Sequence, residues 1–208
     1  MKELIILGAG GHSLSVMDCV DREKYHIAGF VDKNKKGEYY SIPVISDRIE
    51  DIPNYKSCVY FVAIGDNAIR KRCFEEVKAL GLETINIIDR SAVVSETAKL
   101  GTGNFIGKNA VVNAYAEIGD NNIINTKALI EHECKLKNHI HLSTNAVING
   151  EVTVNDLAFI GSSSVVVCQK TIGSSAVIGA GSVVIKDVDS DVTVAGVPAK
   201  IIRSKNNA

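Results

Sequence analysis

A chain of 208 residues has room for one domain or two small ones. With 23 Lys and Arg against 24 Asp and Glu, the net charge of −1 argues against an electrostatically driven nucleic-acid binder, and 46% apolar content excludes a solvated disordered chain. Five scattered cysteines without a CxxC pair give neither a disulfide framework nor a cysteine zinc site, so a cytoplasmic setting is expected; no stretch approaches the roughly 18 apolar residues a membrane span needs, so no membrane insertion is expected.

In chain order, residues 4–7 read as a buried strand, too short in apolar length for a signal peptide. Gly8-Ala9-Gly10-Gly11-His12-Ser13 follows as a tight loop, with a helix over 14–20. A second strand over 26–31 ends at Asp32 and Lys33. A third over 59–64 ends at Gly65-Asp66-Asn67, a helix over 68–80 stops at Gly81, and a last strand covers 84–88. Strands alternating with helices imply a small parallel sheet of Rossmann type over residues 1–90. Its glycine loop sits at a strand-to-helix turn, where free N–H groups and the helix dipole favour a phosphate. It is not a full GxGxxG, because position 13 is Ser. Asp32, Lys33 and Gly65 fall at the same carboxyl edge of the sheet, the place where ligands bind in such folds.

From residue 91 the pattern changes. Stepping by six from Val94 through Leu100, Ile106, Val112 and onward to Val184 meets only Ile, Leu or Val. Two residues before, the side chain is mostly Ala or Ser; one residue after, Gly or Asn is frequent, as at Gly101, Gly107, Asn125 and Gly161. This period fits a solenoid of three short strands, about 18 residues per coil, with one aliphatic per strand pointing inward. The small residue is expected near each corner and the Gly or Asn at the backbone turn. The expected architecture is therefore an N-terminal Rossmann-like α/β domain, 1–90, followed by a left-handed parallel β-helix, 91–208.

Together, GAGGHS at residues 8–13, Phe30-Val31-Asp32, Ala63-Ile64-Gly65-Asp66-Asn67, Ile130-Glu131-His132-Glu133 within the repeat, and the closing Gly196-Val197-Pro198-Ala199-Lys200 resemble one family. It comprises the bacterial hexapeptide-repeat sugar acetyltransferases, including the sialic acid O-acetyltransferases and the UDP-4-amino-sugar N-acetyltransferases. The resemblance spans nearly the whole chain. It implies a homotrimer with active sites between neighbouring subunits, acetyl-CoA as cosubstrate along the β-helix, and a sugar or nucleotide sugar on the α/β domain, held here by Gly10, Gly11, His12 and Asp32. Amino-sugar members often carry a second acid after that Asp, where this chain has Lys33.

Acetyl transfer from a thioester needs a base for the attacking amine or hydroxyl and donors for the oxyanion. Histidine suits the first task near neutral pH. His132 is out of phase with the inward aliphatics Ile130 and Leu136, so it projects outward, and Glu133 is placed to fix its tautomer. The resemblance makes this pair catalytic. It also implies a substrate-side role for Asn125, an acetyl-CoA contact for His141, pantetheine contacts for Ser162 and Ala180, and CoA phosphate contacts for Lys200 and Arg203. No metal is expected. Among other classes, a trimeric zinc carbonic anhydrase would draw on His132, His139 and His141, but their spacing is too tight for that ligand pattern. A nucleotidyltransferase would need a larger catalytic domain. A non-catalytic nucleotide-sugar scaffold is the non-enzyme alternative. The expected reaction is N-acetylation of a nucleotide-linked 4-amino sugar, with O-acetylation of sialic acid or CMP-sialic acid as the alternative.

Overall fold

The computed structural model describes residues 1–204, so residues 205–208, the end of the expected second domain, lie outside the described residues. The first part is built from β1 (Lys2–Leu7), α1 (Gly11–Cys19), β2 (Tyr25–Val31), β3 (Glu38–Tyr39), β4 (Ile42–Ser46), β5 (Val59–Val62), α2 (Asn67–Ala79) and β6 (Glu83–Thr84). They form one sheet in the order β3-β4-β2-β1-β5-β6, parallel except for the β3–β4 hairpin. Leu4 to Leu7 are buried on both faces of β1, which is why the strand is a continuous apolar run rather than an alternating one. Leu4, Ile6, Phe30 and Phe61 pack with Val16 of α1, while Ile5, Leu7, Tyr60 and Val62 pack with Phe74 and Val77 of α2. The chain runs from β1 to β2 on one side and returns to β5 on the other. The sheet therefore reverses its winding between β1 and β5, and a crevice opens beyond their carboxyl ends.

Two local expectations change, and one stretch without an expectation gains structure. Helix α1 starts at Gly11, not at residue 14. Gly10 caps it in extended conformation, and the Ser13 hydroxyl donates to the Gly10 carbonyl at 2.7 Å, so His12 is a first-turn helical residue. The expected strand over 84–88 is divided: β6 pairs with β5, while Ile87–Ile88 already pairs with Phe105–Ile106 of the next body. The stretch between β2 and β5 holds the β3–β4 hairpin and two short 3-10 turns, with Pro43 interrupting the apolar pattern of β4.

From Ile87 the chain winds as a left-handed parallel β-helix with three faces. Strands Ile87–Ile88, Phe105–Ile106, Ile123–Ile124, His141–Leu142, Phe159–Ile160 and Val177–Ile178 stack on the first face. The second runs from Val93–Val94 to Val183–Val184 and the third from Lys99–Leu100 to Thr171–Ile172. Phe105 pairs with Ile123, Ile123 with His141 and His141 with Phe159, a repeat of 18 residues per coil. The aliphatics Ile106, Ile124, Ile130, Leu142, Ile148 and Ile160 are fully buried, each a burial of about 1.5–3 kcal/mol relative to exposure. The first-face residues Ile87, Phe105 and Ile123 extend the core on the α1 side of the sheet, so the two bodies share apolar packing.

The corners are built differently from the sequence expectation. The left-handed residue lies three positions after each aliphatic and is rarely Gly: Asn109, Tyr115, Lys127, Glu133, His139, Glu151 and Leu157 have φ between 54° and 64°. Each such residue costs roughly 1–2 kcal/mol in an L-amino acid. Stacking holds it: the N–H of Lys127 donates to the Lys108 carbonyl at 2.8 Å, Glu133 to Ala114 at 3.0 Å and His139 to Asp120 at 2.9 Å. The Gly one position after the aliphatic is there for space. A Cβ on Gly161 would stand 2.6 Å from the backbone of the next coil. The small residue two positions before each aliphatic, such as Ala110, Ala128, Ala146 or Ala158, is fully buried core.

Candidate functional site

Gly10, Gly11, His12, Asp32, Lys33 and Gly65 line one cavity of about 670 Å³ at the reversal point of the sheet. That size suits a small organic ligand. Gly10 and Gly11 present the open N-terminus of α1, a position that attracts anions. The Asp32 carboxylate braces the same loop: it accepts from Ala9 N–H at 2.8 Å, Asn34 N–H at 2.8 Å and Lys35 N–H at 3.1 Å. Ile49, Ile69, Arg72, Cys73 and Glu76 complete the far wall.

His12 and His141 meet at the seam between this cavity and the first face of the β-helix. His12 packs edge-on against Phe105, with ring centroids 5.0 Å apart, and His141 against Phe159 at 5.1 Å. His141 Nδ1 lies 3.4 Å from the Gly65 carbonyl. Burial first, and then the charge of Arg70, push His141 down to about 4; burial, with His141 and Arg70 adding, pushes His12 down to about 3. Both rings are neutral at physiological pH. Each has a buried Nε2 without a hydrogen-bond partner among the described residues, which makes the seam polar and under-satisfied. His141 thus adjoins this cavity through the Gly65 carbonyl.

His132 and Glu133 occupy the corner between the second and third faces, after strand Leu129–Ile130 and before Lys135–Leu136. His132 is exposed, and its Nδ1 lies 3.3 Å from the Glu133 carboxylate. A carboxylate at Nδ1 favours the tautomer that leaves Nε2 as a lone pair. Glu133 is itself the left-handed corner residue, which turns its side chain back beside the ring. Gly150, on the next coil, lies directly beneath: a Cβ there would stand 2.6 Å from both Cε1 and Nε2 of His132. The sequence reading missed Gly150, whose only local signal is a Gly two positions after an inward Ile. The nearby Cys134 is buried, donates to the Asn149 carbonyl at 3.1 Å, and is pushed up to about 11 by burial. It is a core thiol rather than a nucleophile.

The remaining candidates fall at a third place. Asn125, Ser162 and Ala180 lie at the corner between the first and second faces, with Ser162 and Ala180 stacked on successive coils. Ser162 Oγ is 2.8 Å from Ser143 Oγ, and the Asn125 side chain accepts from Thr126 N–H at 2.8 Å. Lys200 is exposed on the strand Lys200–Ser204, which pairs with Val192–Ala195. Within one chain His132 does not line the cavity. His139 is buried, with Nδ1 2.8 Å from the Asn121 amide, and so does not converge with His132 and His141. Among the described residues no group of three His, Cys, Asp or Glu side chains is arranged to hold a metal ion, and no helix is long and apolar enough to cross a membrane.

Comparison with known proteins bears on this arrangement. Residues 3–77 match the PglD N-terminal domain family. PerB from Caulobacter crescentus, solved with CoA and GDP-perosamine, superposes with a TM-score of 0.90 at 33% identity over 98% of both chains. The acetyltransferase domain of PglB from Neisseria gonorrhoeae superposes with a TM-score of 0.93 at 32% identity, over 97% of this chain and 100% of that one; the same domain has been solved with acetyl coenzyme A. This chain belongs to the acetyl-CoA-dependent sugar acetyltransferases. The UDP-N-acetylbacillosamine N-acetyltransferase of Bacillus subtilis is 34% identical over 111 residues, 50% of each chain. The chain spans half or less of the length of the curated relatives it matches.

Proposed function

We propose that this acetyltransferase transfers the acetyl group of acetyl-CoA to the amine of a nucleotide-linked 4-amino sugar, with His132 as general base. The observation that carries the reading is the His132–Glu133 pair: an exposed imidazole with a carboxylate 3.3 Å from Nδ1, resting on a glycine that leaves room for the ring. His132 Nε2 takes a proton from the sugar amine as nitrogen attacks the thioester carbonyl. Glu133 stabilises the imidazolium that forms. A backbone N–H of an adjacent coil receives the oxyanion, and its collapse expels CoA thiolate. Ser162, Ala180 and Lys200 line the path of the CoA arm, and Asn125 contacts the substrate. The nucleotide diphosphate sits on Gly10 and Gly11, beside Asp32, Lys33 and Gly65. PerB with GDP-perosamine and the UDP-N-acetylbacillosamine enzyme both support a nucleotide-linked amine as acceptor.

The working unit is a homotrimer with each site completed across a subunit boundary. The separation of His132 from the cavity supports this, as does the outer surface of the second face. Val93, Val111, Leu129, Val147, Val165 and Val183 form an outward aliphatic row there, whereas Lys99, Glu117 and Lys135 line the third face. Val93 is exposed and the other five are half-buried, and an apolar row of this kind is suited to burial against another subunit.

The test is release of free CoA with a panel of UDP-, GDP- and dTDP-linked 4-amino sugars, with sialic acid and CMP-sialic acid as controls. Turnover with at least one amino sugar nucleotide is expected. Turnover with sialic acid alone would overturn N-acetylation, and sedimentation as a monomer would overturn the shared site.

A further inference from the structure

Arg70 is 1% exposed, on the same stripe of α2 as Phe74 and Val77, which are core residues. Its guanidinium has no carboxylate hydrogen-bond partner among the described residues. Nε donates to the Asn121 carbonyl at 3.1 Å, and Nη1 donates to the carbonyls of Ile64 and Gly65, both at 3.2 Å. Nη2 donates to Asn67 Oδ1 at 2.8 Å and to the carbonyls of His139 and Ile140 at 2.9 and 3.2 Å. Asn67 in turn donates to the carbonyls of Leu157 and Ala158 at 2.9 and 3.1 Å. Asn121, His139 and Leu157 are equivalent left-handed corner residues of three successive coils. The first turn of α2 therefore reads one corner of the β-helix, coil by coil.

A buried cation without an anion is a costly way to secure a helix. Burial lowers Arg70 to about 10, so it still carries its charge at neutral pH. An aliphatic side chain would continue the Phe74–Val77 stripe without that desolvation. The fork does what an aliphatic residue cannot: it bonds two cavity-loop carbonyls and the carbonyls of two adjacent coils at once, which fixes their relative position. The Gly65 carbonyl it holds is the same one that faces His141 Nδ1.

We propose that Arg70 is a positioning residue that holds the Ile64–Gly65 edge of the sugar-nucleotide cavity in register with the coils carrying His132 and His141. This rests on the acetyl-transfer reading above. Ser162, Ala180 and Lys200, assigned to the CoA arm, make no hydrogen bond to α2 among the described residues, and Arg70 reaches the acetyl-CoA candidate His141 only through the Gly65 carbonyl, so the larger effect of Arg70 falls on the acceptor side.

The experiment is steady-state kinetics of the full chain, wild type against Arg70→Met and Arg70→Lys, with acetyl-CoA and the best sugar nucleotide varied in turn. Melting temperatures establish that each variant is folded at the assay temperature. In Arg70→Met the KM for the sugar nucleotide is expected to rise about tenfold or more, with kcat reduced, while the KM for acetyl-CoA stays within about twofold. Arg70→Lys, which keeps the charge but loses the fork, is expected to recover only part of the loss. An unchanged sugar-nucleotide KM, or both KM values rising together, would overturn the proposal. Should Arg70→Met not fold, Asn67→Ala, which removes only the bonds to Leu157 and Ala158 and one to Arg70, is read by the same KM split. A wild type without transferase activity removes the functional reading and this inference with it. An active wild type beside an Arg70→Met of unaltered KM removes this inference alone.

Discussion

The β-helix and the α/β domain bury apolar surface by opposite means. In the β-helix one aliphatic per strand repeats along a single axis, every coil resembles its neighbour, and the exposed His132 breaks no packing rule. In the α/β domain each buried residue has a unique place, and the cavity exists because the sheet reverses its winding between β1 and β5. The regular body can present a catalytic side chain at a corner with little cost to stability. The irregular body holds the cavity to which the proposed function assigns the acceptor. Substitutions should therefore separate activity from stability in the β-helix more cleanly than in the α/β domain.

The largest effect is expected at the exposed corner. His132→Ala should lower turnover on the order of 10²–10⁴-fold, with little change in melting temperature. A comparable loss of stability would mean that the corner is structural. Next comes the glycine beneath it. Gly150→Ala places a Cβ against the His132 ring and should reduce kcat roughly tenfold to a hundredfold by displacing the imidazole. Wild-type kinetics in this variant would show that the ring position is not critical.

A smaller pair of effects tests how the corners are built. Gly161→Ala pushes a Cβ into the neighbouring backbone and should cost about 1–3 kcal/mol in chemical denaturation. Lys127→Gly, at a left-handed residue on the surface, should change stability by no more than about 1 kcal/mol. The reverse order would restore the idea that the repeat glycines serve the turn rather than the close approach of coils.

A further effect concerns pH. His141 is held at about 4 in the folded protein, whereas an unfolded histidine titrates near 6.5. Between those values the unfolded chain takes up a proton that the folded chain refuses, so stability falls as pH falls through the window. Thermal melts at pH 7 and pH 5 should show His141→Gln losing less stability on acidification than the wild type. An identical loss in both would place the acid sensitivity elsewhere.

The β-helix was legible because its period is a property of the chain itself: Val94 to Val184 announces three strands per coil without any tertiary knowledge. The glycine loop, Asp32 and Gly65 were legible for a similar reason, each following a strand that the pattern reveals, and the structure gathers them at one cavity. The left-handed corner positions were not legible, because Lys127, Glu133 and Leu157 have no intrinsic preference for that conformation. Hydrogen bonds from their own N–H groups to carbonyls of the preceding coil impose it. Arg70 was missed for a related reason. Its carbonyl partners at Asn121, His139 and Ile140 are distant in sequence, and only its place on the apolar stripe with Phe74 and Val77 hinted that it is buried. The start of α1 moved because Gly10, a poor local signal for a helix cap, is held by Ser13.

The most direct test of the central claim is to identify the product of the wild-type enzyme and of His132→Ala, with acetyl-CoA and a nucleotide-linked 4-amino sugar, by mass spectrometry and NMR. One acetyl group on the sugar nitrogen is expected with the wild type and almost none with the variant. Acetylation at a hydroxyl, or equal amide formation by His132→Ala, would contradict it.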